Sequence, residues 1–262
     1  MTAPAGRVLV TGGARRLGRA MVLYLAGRGY DVAIHYASSK TDSLKTAEEA
    51  RALGVRAEVL QADLLNEAET ETLVPRASAA LGGPLTLLVN NASIFEYDNI
   101  RTASRESWDR HIESNLRAPV LLTQHFARQA PPALAGDDGR RAQALVVNML
   151  DQRVRKLTPE FMSYTIAKMG LWAFTQTAAR ALAPDIRVNA IGPGSTLKGD
   201  RQSQEQFDAQ RAASILERGA NPGDICAALG YFLDAQAVTG QLLCVDGGQH
   251  LGWKTPDIRG IG

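Results

Sequence analysis

The chain has 262 residues, 45% of them hydrophobic and 21% charged, with a net charge of +2 at pH 7. It is long enough to bury a sizeable core as a single domain spanning residues 1–262. The near-neutral balance gives no reason to expect nucleic-acid binding, and no apolar run reaches the ~18 residues of a membrane helix. No signal-peptide pattern precedes the first strand. The two cysteines, Cys226 and Cys244, have no metal-ligand spacing and read as reduced core residues, so a cytoplasmic, metal-free protein is expected.

Taken in chain order, Arg7 to Thr11 is a short β-branched, apolar run that reads as a buried strand. It enters the turn Gly12-Gly13-Ala14-Arg15-Arg16-Leu17-Gly18, and Arg19 to Arg28 follows with helical periodicity. Strand, glycine turn and helix are the setting of a dinucleotide site, where the backbone approaches a pyrophosphate at a helix N-terminus. The spacing is Thr-Gly-x-x-x-Arg-x-Gly, with Arg16 where a middle glycine is usual. The second strand, Asp31 to Tyr36, ends without the acidic residue that holds a ribose 2′-hydroxyl in NAD-selective sites. Ser38, Ser39 and the nearby Arg15 suit a 2′-phosphate instead, which favours NADPH; the serines also serve as ordinary N-cap residues for the next helix. Val59 to Leu64 closes a third strand, with Asp63 placed to meet an adenine amino group. Leu85 to Val89 is a fourth strand, ended by Asn90-Asn91-Ala92-Ser93. Residues 131–139 read as an exposed, linker-like loop, and Ala144 to Asn148 as a fifth strand.

Asp151 then precedes a ten-residue segment, 152–161, that should pass over a pocket mouth. It carries Arg153, Arg155 and Lys156, which either attract an anionic tail or form a solvated basic loop. Tyr164 and Lys168 open a helical run to about Ala183. At i and i+4 they share a helix face, so the ammonium is expected near the phenol, lowering its pKa from ~10. A carboxylate at Asp151 would oppose that effect, making a coupled cluster. Ile186 to Ile191 is a sixth strand leading into Gly192-Pro193-Gly194-Ser195-Thr196. Residues 197–216 are polar and helix-like and read as a substrate lid. Leu242 to Val245 is the last strand, before Asp246-Gly247-Gly248 and a tail, 249–262, that includes His250 and Trp253.

The joint order of Thr11-Gly12, Gly18, Asn90-Asn91-Ala92, Asn115, Tyr164-x-x-x-Lys168 and Gly192-Pro193-Gly194 resembles the short-chain dehydrogenase/reductase family over about Arg7 to Gly248. Within it the chain looks most like the pteridine reductases and the related dihydromonapterin and dihydrofolate reductases. Arg16, Ser93-Ile94-Phe95, Ile34-His35-Tyr36 and Asp151, at the position of the usual catalytic serine, carry that narrower likeness. The resemblance implies an α/β fold: a Rossmann-type, doubly wound parallel sheet of about seven strands with helices on both faces. It also implies a homo-oligomer, often a tetramer, with the tail at a subunit contact.

By the same resemblance Tyr164 is the proton donor, and Lys168 binds the nicotinamide ribose and tunes Tyr164. Asn115, mid-way along the fourth helix, holds a water near Lys168. NADP or NADPH would lie along Gly12, Arg15, Arg16, Leu17 and Gly18, then His35, Tyr36, Ser38 and Ser39. The same surface would continue through Asp63, Leu64, Asn91, Ala92 and Ser93 to Pro193, Gly194 and Ser195, with Tyr164 and Lys168 at the reactive end. A pterin-like substrate would meet Arg16, Ser93, Phe95, Asp151, Tyr164 and, as a second apolar wall, Phe161. A carboxyl that donates or relays a proton suits reduction of a ring C=N bond, and an aromatic slot suits a planar heterocycle. Two other readings remain: a carbonyl reductase or alcohol dehydrogenase, which Asp151 in place of serine argues against, and a non-catalytic NADP(H)-binding sensor, which has no need of Asn115, Tyr164 and Lys168.

Overall fold

A computed structural model describes residues 4–137, 139–199 and 202–253. The first half alternates strand and helix: β1 (Gly6–Val10), α1 (Arg16–Gly27), β2 (Tyr30–Tyr36), α2 (Lys40–Ala52), β3 (Ala57–Gln61), α3 (Glu67–Leu81) and β4 (Leu87–Asn90). The chain continues through α4 (Arg105–Ile112), a π-helical turn (Glu113–Arg117), α5 (Ala118–Gln129), β5 (Leu134–Gly136), β6 (Gly139–Arg141) and β7 (Ala144–Met149). After a 3₁₀ turn (Gln152–Val154) come α6 (Met162–Leu182), β8 (Ile186–Pro193), α7 (Gln204–Ala212), α8 (Pro222–Asp234), β9 (Leu242–Val245) and a 3₁₀ turn (Gln249–Leu251).

Seven strands form one sheet in the order β3-β2-β1-β4-β7-β8-β9, every pair parallel. Parallel neighbours need crossovers, and the intervening helices cover both faces. Alternation within β1 divides the core: Val8 and Val10 face the cluster under α1, α2 and α8, while Leu9 faces the cluster under α3, α5 and α6. The strands read as near-continuous apolar runs because both faces are buried; β7 is buried at all six positions. The strand order reverses between β1 and β4, so the carboxyl ends of those strands open the crevice where ligands bind in such sheets.

Several expected boundaries move. The third strand ends at Gln61 rather than Leu64, the fourth begins at Leu87 rather than Leu85, and the sixth continues to Pro193. Part of the exposed loop over 131–139 instead belongs to an antiparallel hairpin, Leu134 pairing with Arg141 and Gly136 with Gly139. All six of its strand residues are exposed, so no periodic apolar signal marks it. In the expected lid only Gln204–Ala212 is helical, and residues 200–201 lie outside the described ones, as do residues 254–262 of the tail. Cys226 is buried in α8, but Cys244 is only half-buried in β9. Among the described residues no helix is long and apolar enough to cross a membrane, and no group of side chains has the makings of a metal site.

Candidate active site

The glycine turn is shaped by close approach. Gly12 has φ 62°, in the left-handed region, and a Cβ on Gly18 would lie 2.0 Å from the Gly12 carbonyl oxygen; only glycine lets α1 start this close to β1. Arg16 adopts φ 53°, an uncommon conformation for a residue with a Cβ. Its guanidinium donates to the carbonyls of Lys198 (2.9 Å) and Leu197 (3.2 Å). Arg16 therefore ties the turn to the start of the expected lid. Leu17, next along, is partly buried against the α1 side of the core.

The turn is also held from below. Asn91 donates from Nδ2 to the carbonyls of Thr11 (2.8 Å) and Gly12 (3.2 Å), and the backbone N–H groups of Asn91 and Ala92 both reach Thr11 Oγ1. His35 is 2% exposed. Its Nδ1 accepts from Gly12 N–H at 3.0 Å, so Nε2 carries the proton and donates to the Ala62 carbonyl at 3.0 Å. His35 thus lies beneath the turn and braces it, where the sequence placed it as a direct cofactor contact. Its pKa falls from 6.5 to about 4, chiefly through burial.

At the far end of β2, Tyr36 is half-buried and Ser38 exposed. Ser39 is the N-cap residue of α2 without a side-chain capping bond, which leaves its hydroxyl unspent on the helix. The exposed Arg15 guanidinium stands 3.6 Å from Asp42 in the first turn of α2. Asp63 is exposed, its Oδ1 accepting from Leu65 N–H at 3.0 Å, and Leu64 is buried beside it. On the other side of the crevice, Gly194 N–H donates to the Val245 carbonyl. A Cβ on Gly194 would meet Asp246 at 2.6 Å. Pro193, the last residue of β8, is half-buried beside it. Ser195 is held by Gln249 and Gln210.

The reactive cluster lies at the carboxyl end of β7. Asp151 follows that strand and caps the 3₁₀ turn, its Oδ1 accepting from Arg153 N–H at 2.8 Å. Its Oδ2 accepts from the Tyr164 hydroxyl at 3.1 Å. Lys168, 2% exposed, donates from Nζ to the Met149 carbonyl at 2.8 Å and lies 5.7 Å from the centre of the Tyr164 ring. Burial lowers the Lys168 pKa to about 8 against the pull of Asp151.

One expectation is reversed: the Tyr164 pKa is raised well above 10, by burial first and then by the charge and hydrogen bond of Asp151, with Arg153 and Ser93 opposing. Asp151 is raised as well, by burial, against its bonds and the neighbouring cations. Desolvation of the buried phenol, together with the Asp151 charge, outweighs a cation whose own Nζ is turned to a backbone carbonyl.

Asn115 lies in the π-turn between α4 and α5, not inside a regular helix; Ala118 N–H donates five residues back to Glu113. Its side chain brackets Ile94, accepting from Ile94 N–H at 2.9 Å and donating to the Ile94 carbonyl at 2.8 Å. Phe95 follows, half exposed, with its ring edge-on to Tyr164 at 4.7 Å. Phe161 stacks on Phe95 at 4.2 Å and 10°. A planar ring between them needs about 7 Å, two contacts of roughly 3.5 Å, so Phe161 backs Phe95 here rather than forming the opposite wall. The Ser93 hydroxyl donates to the Ile94 carbonyl at 3.4 Å. The basic loop is engaged with the protein itself: Arg153 lies over Phe161 and donates to Thr158, Arg155 lies over Trp172, and Lys156 donates to the Gly252 carbonyl.

A family model described as enoyl-(acyl carrier protein) reductase matches residues 12–250. The chain belongs to the short-chain dehydrogenase/reductase family. It is 32% identical over 253 residues to the short-chain dehydrogenase/reductase eriH of Hericium erinaceus, covering 93% of this chain and 97% of that protein. It is 30% identical over 248 residues to the 3-oxoacyl-[acyl-carrier-protein] reductase FabG of Staphylococcus aureus, with the same coverage. Among solved structures it is similar to FolM alternative dihydrofolate reductase 1 from Brucella suis in complex with NADP: 44% identity, TM-score 0.89, covering 97% of this chain and 98% of that one. The expectations of a doubly wound sheet, of this family and of a likeness to its pteridine-reducing members are borne out, and the NADP in the FolM structure agrees with the expected cofactor.

The sequence did not single out His111, Ser163 and Asp98, which bond to one another behind Tyr164. The spacing of Ser163 next to Tyr164 was visible, but nothing local linked it to residues more than fifty positions away.

Proposed function

We propose that this protein is an NADPH-dependent reductase of a pterin-like substrate, of dihydropteridine, dihydromonapterin or dihydrofolate type. The observation that carries the reading is the half-buried Asp151 carboxyl 3.1 Å from the Tyr164 hydroxyl, with the half-exposed Phe95 ring beside that phenol at 4.7 Å. Burial raises the pKa of both partners, and the charge and hydrogen bond of Asp151 raise that of Tyr164 further, so the phenol keeps its proton. A protonated phenol held on a carboxylate can deliver its proton to a ring nitrogen as negative charge develops there. The flat, half-exposed Phe95 ring offers a stacking surface beside the donor.

The cofactor fits the residues present. Gly12 and Gly18 give the close backbone approach a pyrophosphate needs; Ser38 and Ser39 follow β2, and Arg15, in the glycine turn, would have to turn from Asp42 to meet a 2′-phosphate. When bound, NADPH supplies hydride to the substrate carbon. Lys168, with its Nζ on the Met149 carbonyl, would also hold the ribose, and Tyr164 would give up its proton while Asp151 relays its replacement. Arg16 would have to exchange its lid carbonyls for cofactor or substrate edges. Self-association, with the tail at a subunit contact, is proposed on the family resemblance alone.

The similarity to FabG favours a second reading, reduction of a carbonyl. NADPH oxidation by the purified protein with dihydropterins, dihydrofolate and simple ketones in parallel decides between them. Turnover confined to the pterin-type substrates is expected; turnover confined to ketones would overturn the pterin assignment and leave the family intact.

A further inference from the structure

Behind the Tyr164 ring lies a chain of polar side chains shut off from solvent. His111 and Ser163 are 0% exposed and Asp98 is 1% exposed. Their hydrogens can be placed from the partners. The Glu96 N–H, 3.1 Å from His111 Nε2, can only donate, so Nε2 accepts. The neutral ring then carries its proton on Nδ1 and donates to Ser163 Oγ at 2.6 Å. The Ser163 hydroxyl passes its own hydrogen to Asp98 Oδ2 in a short bond, and Ser163 N–H donates to Asp98 Oδ1 at 3.1 Å. Burial lowers the His111 pKa against the pull of Asp98 and Glu96, which favours the neutral ring this chain requires.

The two ends of the chain hold the two halves of the site. At one end Phe95 is clamped through both neighbours: Ile94 by Asn115, Glu96 by His111, the two clamps standing four positions apart on one side of the α4 region. Arg110 adds a two-pronged bond to the Glu96 carboxylate. At the other end the Asp98 carbonyl accepts from Phe161 N–H (2.8 Å) and Met162 N–H (3.3 Å). These bonds fix the left-handed Phe161, φ 56°, from which the helix of Tyr164 starts. An apolar trio would pack such an enclosed place without the desolvation of three polar groups. What polar groups add is direction.

We propose that Glu96 N–H, His111, Ser163 and Asp98 form a positioning relay that holds the Phe95 wall in register with the Tyr164 hydroxyl. His111, Ser163 and Asp98 are positioning residues and act through Phe95 and Tyr164. The proposal rests on the reading of those two residues as stacking wall and proton donor.

The test is steady-state kinetics on Ser163→Ala, which cuts the relay at its middle, and on the pair His111→Gln and His111→Phe, with NADPH affinity measured separately by fluorescence. Gln retains an acceptor for Glu96 N–H; Phe retains the ring shape and neither bond. In Ser163→Ala the KM for the reduced substrate should rise about tenfold or more, the kcat fall by less and the NADPH Kd stay within about twofold. His111→Gln should lie nearer the wild-type KM than His111→Phe. Wild-type KM in Ser163→Ala and His111→Phe would overturn the proposal. So would loss of NADPH affinity in step with KM, or a raised KM equal in the Gln and Phe variants. If Ser163→Ala does not fold, the two His111 variants decide alone. If the wild type reduces ketones and no pterin, the proposed substrate class fails, and the same KM split with the ketone still decides the relay.

Discussion

The chemistry of single residues turns on what surrounds the Tyr164 hydroxyl. Four positions separate it from Lys168, yet the lysine spends its Nζ on the Met149 carbonyl, and the carboxyl of Asp151 is the group in contact. Tyr164→Phe removes the donated proton and keeps the ring, so turnover should fall about 10²- to 10⁴-fold while the NADPH Kd is unchanged; single-turnover kinetics and fluorescence titration report the two separately. In Asp151→Asn the hydrogen bond can persist while the charge is lost. Because that charge raises the Tyr164 pKa, its removal lowers it. The alkaline limb of the turnover profile should therefore move to lower pH than in the wild type. An unmoved limb would show that Asp151 does not set the titration of the phenol.

Among the elements, the turn from β1 into α1 has the least freedom. A methyl group on Gly18 would meet the Gly12 carbonyl oxygen at 2.0 Å, and backbone must shift to admit it. Gly18→Ala is expected to cost about 1–3 kcal/mol by overpacking. On the proposed cofactor placement it should also weaken NADPH by at least about tenfold, since the displaced N–H groups would be those facing the pyrophosphate. Thermal melts with and without NADPH measure both effects, and a variant melting like the wild type would refute the close approach. Arg16 tells the opposite story. Its φ of 53° suits glycine, so Arg16→Gly should leave the melting temperature equal or higher while freeing Leu197 and Lys198 from the turn; limited proteolysis near residue 198 should then quicken.

For the molecule as a whole, His35 makes stability depend on pH. It is buried neutral between Gly12 and Ala62, and its pKa falls from 6.5 to about 4. The unfolded chain takes up the proton first as pH drops, so the contribution is complete above pH 6.5 and is lost as pH falls towards 4. The full loss is about 3 kcal/mol, from 2.5 pH units at 1.36 kcal/mol each. Urea unfolding at pH 7 and pH 4.5 should show most of this difference, and His35→Asn, which keeps an acceptor for Gly12 N–H, should flatten it. An equal pH dependence in the two proteins would mean that other groups govern acid unfolding.

Much of this was legible in the sequence, because it depends on local spacing. The strand, glycine turn and helix at residues 6–27, the apolar strand runs and the Asp151, Tyr164 and Lys168 set are written in neighbouring residues, and a doubly wound sheet follows from their alternation. Three-dimensional proximity decided the rest. The hairpin over 134–141 is exposed on every strand residue, so periodicity could not show it. The π-turn at Asn115 changes the hydrogen-bond step inside an otherwise continuous helical run. His35 was visible as a strand residue, but only the approach of Gly12 and Ala62 makes it a brace. The direction of the Tyr164 pKa follows from enclosure, which is a property of the folded state. The relay through Asp98, His111 and Ser163 joins a loop, α4 and α6, and no spacing in the chain announces a hydrogen bond that exists only once those three have packed.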